Sequence, residues 1–418
     1  MRSAVLQRLS ALLACAVCAA QPPPGCPNGG AASVAFNASA AAAWEARPLQ
    51  NTSRSGRPLR LLEPPDGTCL QGAGQDPYDF AHYAAFMTSN ASAAAPLAHP
   101  LLFMTYVQLS DLNTTSGVPG FFASLNASLA CYGSGGDADG DGVFMLPQLG
   151  VAMTLDDGDG KTPPYDDKVA RGDYDYAIAQ LVVGLRALGG RPLLMRIGYE
   201  FNGIWNRYGN DTFVAAWERI HAAVRAEPAL ARVAFVWDYS CDEPDNPWTR
   251  FEMPDDLIDW YGVNIFSNSS SPAAPASATC LRPFLEFARA RGFPVIVAES
   301  TPRYVGAAVT NGAWNKWFGP LLGLVAEFDD VLKAFCYINW NWAQVRRGLA
   351  RARARARAEV CPLTASSSSK QFPQWDNWLD ARIELPGTVG AQFRAALGAG
   401  NFVHAMPAKA VLRALGQE

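Results

Sequence analysis

Two glutamates stand where short apolar runs stop. Glu200 ends the run PLLMRIGYE (192–200) and is followed by Phe-Asn-Gly; Glu299 ends FPVIVAE (293–299). A carboxyl group at the end of a buried run is desolvated on one side and open on the other, the setting in which such groups do acid–base or nucleophilic work. Two of them about 5–5.5 Å apart suit one chemistry in particular. One, as the acid, protonates the leaving oxygen of an acetal, while the other, as carboxylate, attacks its carbon.

That chemistry requires a scaffold joining positions 200 and 299. Eight short apolar runs bounded by Gly, Pro or Asp recur along the chain, at 68–72, 100–109, 143–153, 192–200, 232–239, 257–266, 293–299 and 331–340. Between them lie stretches of helical periodicity. In 173–189, Ile178, Leu181, Val182, Leu185 and Leu188 share a face; in 211–226, Phe213, Ala216, Trp217, Ile220 and Val224 do. The stretches 284–291, 314–328 and 389–397 follow the same pattern. Strands alternating with helices pair in parallel, and eight such units predict an α/β protein built as a closed (β/α)8 TIM barrel. No Gly-x-Gly-x-x-Gly loop supports the open doubly wound alternative. Alternate residues of a barrel strand point inward, so Arg196, Gly198, Glu200 and Asn202 are expected on the inner face of the fourth strand, with Ile197 and Tyr199 against the helices. The same alternation puts Val295, Val297 and Glu299 inward on the seventh. Both glutamates then end an inner face at the C-terminal rim, where barrel active sites form.

The rim holds further candidates. Arg196 lies deeper on the inner face and, as a buried cation, needs a carboxylate partner; it is expected to brace the site. Asn202 is placed either to bond a substrate hydroxyl or to cap the following turn. Trp205, Trp237, Trp340 and Trp342 follow or end strands. A flat apolar face with one polar handle suits stacking on a sugar ring, and about half of these are expected in the core instead. Tyr239 and Asn264 fall at the same level and are expected to line the cleft.

The segments RIGYEFNGIWNRY (196–208) and FPVIVAESTP (293–302), with WYGVN (260–264) between and FCYINWNW (335–342) after, resemble glycoside hydrolase family 26. The resemblance runs from about Gly67 to Leu397. It implies a retaining barrel glycosidase that needs neither metal nor organic cofactor, with Glu200 as acid/base and Glu299 as nucleophile. It also implies a strand-eight tryptophan, Trp340, beside the scissile bond. The best-known members are endo-β-1,4-mannanases; others cut β-1,3-xylan or mixed-linkage β-glucan. The expected function is therefore a secreted endo-β-glycanase acting on β-linked polysaccharide, β-1,4-mannan first. A catalytically silent carbohydrate-binding wall protein is the alternative from another class. Two positions depart from the family pattern: Tyr199 stands where mannanases commonly have His, and Phe266 where a Tyr commonly bonds the nucleophile. A Phe there removes one hydrogen bond favouring the ionised nucleophile.

Composition fits this frame. The chain has 418 residues, half of them apolar, with a net charge of −4, which suggests neither nucleic acid nor an anionic membrane as partner. A monomer is expected. Arg2 and Arg8 followed by a short apolar run to Ala20 read as a signal peptide (1–20), too short to span a bilayer. Residues 21–66 read as an extension on or trailing from the main domain, which takes 67–418. Seven Asn-x-Ser/Thr sites, at Asn37, Asn51, Asn90, Asn113, Asn126, Asn210 and Asn268, favour a glycosylated extracellular or cell-wall protein. Seven cysteines remain after residue 20, an odd number, and Cys241 and Cys280 are expected to pair. The Arg-Ala tract at 351–358 sits in a low-complexity insertion (346–370). Asp137–Gly142 reads as an acidic turn, because the twelfth position of a calcium loop would be Gln148 and not Glu. The acidic stretch Asp156–Lys161 follows the third strand at the rim.

Overall fold

The computed structural model describes residues 38–47, 50–75, 77–89, 97–112, 118–132, 143–154, 163–243, 245–266, 280–342 and 378–417. The signal-peptide reading, the sequons at Asn37, Asn90, Asn113 and Asn268, the acidic stretches 137–142 and 156–161, and the insertion 346–370 lie outside the described residues.

Eight parallel strands form the centre: β1 (Cys69–Gly74), β2 (Leu102–Gln108), β3 (Leu146–Ala152), β4 (Leu193–Ile197), β5 (Val233–Ser240), β6 (Trp260–Phe266), β7 (Val295–Thr301) and β8 (Leu332–Ile338). Each pairs with the next, and β1 pairs with both β8 and β2, so the sheet closes on itself as the (β/α)8 barrel expected. Nearly every strand residue is buried. Strands covered on both faces read as near-continuous apolar runs, which is why all eight were visible in the sequence.

Among the described residues ten α-helices accompany them: α1 (Ala38–Ala46), α2 (Pro77–Thr88), α3 (Gly120–Tyr132), α4 (Asp166–Arg171), α5 (Asp175–Arg186), α6 (Asn210–Arg225), α7 (Leu281–Arg291), α8 (Gly319–Glu327), α9 (Gly390–Ala399) and α10 (Ala408–Ala414). In α6 the face made by Phe213, Ala216, Trp217, Ile220 and Val224 is buried, as its spacing requires. Asp166 in α4 accepts hydrogen bonds from the Gly209 backbone N–H (3.1 Å) and the Thr212 hydroxyl (2.5 Å), tying α4 to the start of α6. Gly292 ends α7 in a left-handed conformation (φ 72°) that a side chain would resist. The stretch 314–328 is a π-turn, Trp314–Phe318, running into α8. Outward-facing aromatics seal strands to helices: Tyr261 of β6 stacks on Phe293 at 4.3 Å and on Phe287 of α7 at 5.7 Å. Among the described residues no helix is long and apolar enough to cross a membrane.

Residues 57–66 close the N-terminal end of the barrel. Leu62 and Glu63 are fully buried there. Arg57 forks onto Glu63 (2.8 and 2.5 Å), Arg60 lies 3.4 Å over the ring of Phe293, and the Trp260 indole donates to the Leu61 carbonyl (2.8 Å).

Candidate active site

Strand β4 delivers Arg196 to the barrel interior and then stops. Gly198 (φ 57°) turns the chain, and Glu200 itself has a left-handed backbone (φ 52°). Such a conformation costs a non-glycine residue on the order of 1 kcal/mol or more, so something must hold it. Hydrogen bonds to the end of β5 and within the turn do so. The Phe201 N–H donates to the Asp238 carbonyl (3.2 Å), and Asn206 Nδ2 donates to the carbonyls of Tyr199 (2.9 Å) and Glu200 (3.0 Å). Asn202 Nδ2 donates to the carbonyls of Ser240 (2.9 Å) and Glu243 (3.2 Å), while its Oδ1 accepts from the Ser240 N–H (2.8 Å). Glu200 therefore reaches the site through a clamped turn and not by simple strand alternation.

Glu299 arrives by a different irregularity. Along the β6–β7 pair Val263 lies opposite Val297, but the next residue, Asn264, lies opposite Glu299. One extra residue, a β-bulge at Ala298, changes the phase of β7. Val297 therefore shares its side of the sheet with Val263, and Glu299 shares the inner side with Asn264. This corrects the grouping of Val297 with Glu299 on one face. Gln148 of β3 holds the bulge from across the barrel: its Nε2 donates to the Ala298 carbonyl (3.0 Å), and its Oε1 accepts from the Cys336 thiol (2.7 Å).

Arg196 joins these parts. Its Nη1 donates to Glu299 Oε1 at 2.7 Å and to Asp238 Oδ2 at 2.8 Å, with the guanidinium and Asp238 fully buried. The guanidinium carbon lies 5.3 Å from the ring centre of Tyr106 and 5.0 Å from that of Tyr199. One cation is thus shared by two carboxyl groups, whose charges in turn act on Glu200. Glu200 is held well above the usual carboxylate range, by burial first, then by the charges of Glu299 and Asp238; the neighbouring Asn264 amide opposes the rise. Asp238 is pushed up to about 7, again by burial first, with Arg196 opposing and Glu299 adding. Glu200 is thus biased toward its protonated form near a Glu299 anchored by a cation.

Arg196 bonds Glu299, Asn264 lies opposite Glu299 on the neighbouring strand, and Glu200 is acted on by both Glu299 and Asn264. Trp205 and Trp340 are partly exposed, and Trp205 donates its indole N–H to Glu200 Oε2 (2.7 Å). Trp237 and Trp342 are core: Trp237 stacks on Phe201 (4.6 Å), and the Trp342 N–H reaches the Thr301 hydroxyl (3.2 Å). Three expectations need correction. Tyr239 does not line the cleft; it is buried on the outer face of β5, stacked on Phe284 of α7 at 5.5 Å. Asn202 is not a sugar ligand, because its amide is committed to the backbone at the end of β5. Tyr199 does not pack on helices; its ring is 5.2 Å from Tyr106, over Gly150 of β3, where a Cβ would come within 2.9 Å of it. Phe266 packs on Trp378 (5.2 Å) at the end of β6. Sequence reasoning overlooked Asp238, Tyr106, Asn206 and Gln148. Asp238 had a readable signal, a charge in phase with Ala234 and Val236 within VAFVWDY. The Cys241–Cys280 disulfide is formed, and Cys69 and Cys336 are buried thiols.

No protein-family model matches the chain. Among curated proteins it is similar to the β-1,3-xylanase TXYA of a Vibrio species, 27% identical over 195 residues, covering 42% of this chain and 41% of that one. A β-1,3-xylanase of an Alcaligenes species is 24% identical over 193 residues, covering 42% and 40%. The chain thus spans less than half the length of the curated relatives it matches. Among solved structures, a GH26 β-mannanase from Bacteroides ovatus aligns with TM-score 0.45 and 14% identity over 81% of this chain and 88% of that one. An endo-β-1,4-mannanase of Cellulomonas fimi aligns with TM-score 0.49 and 11% identity over 81% and 72%.

Proposed function

We propose that the chain is a retaining β-glycanase of the glycoside hydrolase family 26 kind, and that β-1,3-xylan is its first candidate substrate, ahead of the β-1,4-mannan favoured by the sequence motifs alone. One observation carries the reading: a buried Glu200, held well above the usual carboxylate range, and an Arg196-anchored Glu299 share the C-terminal end of one barrel. The ordering of substrates rests on the activity named for both curated relatives, with Tyr199 and Phe266 standing where mannanases commonly carry His and Tyr.

In the first step Glu200 gives its proton to the glycosidic oxygen while a Glu299 oxygen bonds the anomeric carbon. The leaving sugar departs as an alcohol, and a glycosyl ester on Glu299 remains. In the second step Glu200, now a carboxylate, takes a proton from water as that water attacks the same carbon and frees Glu299. Arg196 orients Glu299 throughout. Trp340, half-buried at the end of β8, offers a ring face for the sugar. The reading extends to a secreted, glycosylated protein, supported by the Cys241–Cys280 disulfide and by the exposure of Asn51, Asn126 and Asn210.

The test is hydrolysis of β-1,3-xylan, β-1,4-mannan and mixed-linkage β-glucan by wild type, Glu200→Ala and Glu299→Ala. Wild type should release oligosaccharides with retained anomeric configuration. Each variant should lose roughly 100-fold or more on polysaccharide. Binding without cleavage by wild type would replace this reading with that of a silent carbohydrate-binding protein.

A further inference from the structure

Trp205 does more than face the cleft. Its indole folds back over its own turn, so that Nε1 meets Glu200 Oε2, five residues earlier, at 2.7 Å. The fold-back depends on Gly203: a Cβ at that position would lie 2.5 Å from the indole Cε2 and 2.7 Å from Nε1. The other carboxyl oxygen of Glu200, Oε1, is buried and has no hydrogen-bond partner among the described residues. The carboxyl group is therefore held at Oε2 by the indole N–H, with the Asn264 amide as the other hydrogen-bonding group acting on it.

We propose that Trp205 is the positioning residue of the acid/base: its N–H fixes Oε2, so that the transferable proton sits on Oε1, the oxygen left for the leaving group. This rests on the reading of Glu200 as proton donor. An N–H donor bonds a carboxylate more strongly than a carboxylic acid, so Trp205 favours the ionised form. It works against burial and against the charges that face Glu200, which are Asp238 of β5, Asp242 just after β5 and Glu299 of β7, and alongside the Asn264 amide of β6. The opposition lets Glu200 release its proton in the first step without losing the ability to recover one in the second. It also gives a physical reason for the spacing Glu-Phe-Asn-Gly-Ile-Trp: Asn202 clamps the turn, Gly203 clears the path, and Trp205 closes on the glutamate.

Trp205→Phe keeps an aromatic face and removes only the N–H. In the full chain, labelled with carbon-13 at glutamate carboxyl carbons, the Glu200 signal is identified by its loss in Glu200→Gln and followed by NMR against pH. Its midpoint should be about one pH unit higher in Trp205→Phe than in wild type. Gly203→Ala, which displaces the indole, should move it the same way. On polysaccharide the basic limb of kcat/KM should rise with the midpoint and kcat should fall about tenfold or more. On an aryl glycoside with a strongly acidic phenol, which leaves without a proton, the loss should be under about threefold. An unchanged Glu200 midpoint in Trp205→Phe overturns the proposal. Equal losses on both substrates with a raised KM overturn it too, since they mark a ring that only stacks on sugar. A wild type that cleaves no glycan overturns the hydrolase reading instead, and the two failures are distinct because the carboxyl midpoint is read without turnover.

Discussion

Among single residues, a shortage of positive charge governs the chemistry. Arg196 serves Glu299 and Asp238 together, and among the described residues Glu200 has no ion-pair partner of its own. Burial first, then the charges of Glu299 and Asp238, hold Glu200 well above the usual carboxylate range, and burial pushes Asp238 up to about 7 against the pull of Arg196. For Asp238 the consequence for stability has a definite sign. Between its ordinary value of 3.8 and about 7, the folded chain keeps a proton that the unfolded chain has lost. The contribution is complete below the ordinary value and is lost as pH rises toward 7. Asp238→Asn cannot titrate, so its stability deficit relative to wild type should narrow across that window. Urea melts of both proteins at several pH values check this, and a deficit that widens with pH would contradict it.

Among elements, both glutamates are aimed by departures from regular structure. Glu200 sits in a clamped left-handed turn, and Glu299 follows a bulge whose displaced carbonyl is held by Gln148. Replacing Gln148 by Leu would fill similar space but strand the Ala298 carbonyl, at a cost of about 1–3 kcal/mol. It should also let Glu299 drift from Arg196, lowering kcat with little change in KM. Thermal melts and steady-state kinetics on the active polysaccharide measure both effects, and full activity in a destabilised variant would detach the bulge from catalysis. The same irregularities explain what the sequence could and could not disclose. All eight strands were legible as apolar runs, and the rim placement of Glu200 and Glu299 followed from counting residues to the end of each run. The alternation rule then failed at Val297, Tyr199 and Asn202, because a period of two cannot report an inserted residue or a left-handed turn. Tyr239 was misplaced for another reason: a tyrosine near a strand end is equally suited to a cleft or to the helix layer, and only the neighbouring Phe284 decides.

At the scale of the whole molecule, the barrel separates chemistry from cohesion. The mouth carries the strained turn, the shared guanidinium and the partly exposed tryptophans. The opposite end is closed by residues 57–66, through burial of Leu62 and through ion pairs such as Lys333 with Asp66 (2.5 Å), whose side chains are 0% and 5% exposed. Division of a barrel into a functional C-terminal face and a stabilising N-terminal face follows from where loops leave the strands. It predicts that damage at the base will be felt as stability and not as rate. Asp66→Ala leaves the buried Lys333 ammonium with the Asp329 carbonyl (3.1 Å) as its hydrogen-bond partner there. Removing one member of a buried pair costs about 3–5 kcal/mol. The variant should melt several degrees lower, yet retain wild-type kcat and KM on its polysaccharide at temperatures where it is folded. Burial already lowers the Lys333 pKa, and without Asp66 the neutral amine becomes easier still to reach. The penalty should therefore shrink in alkaline solution as Lys333 gives up its proton. A drop in kcat at full folding would mean that the base is coupled to the mouth through β8, the strand that carries Lys333 at one end and leads to Trp340 at the other.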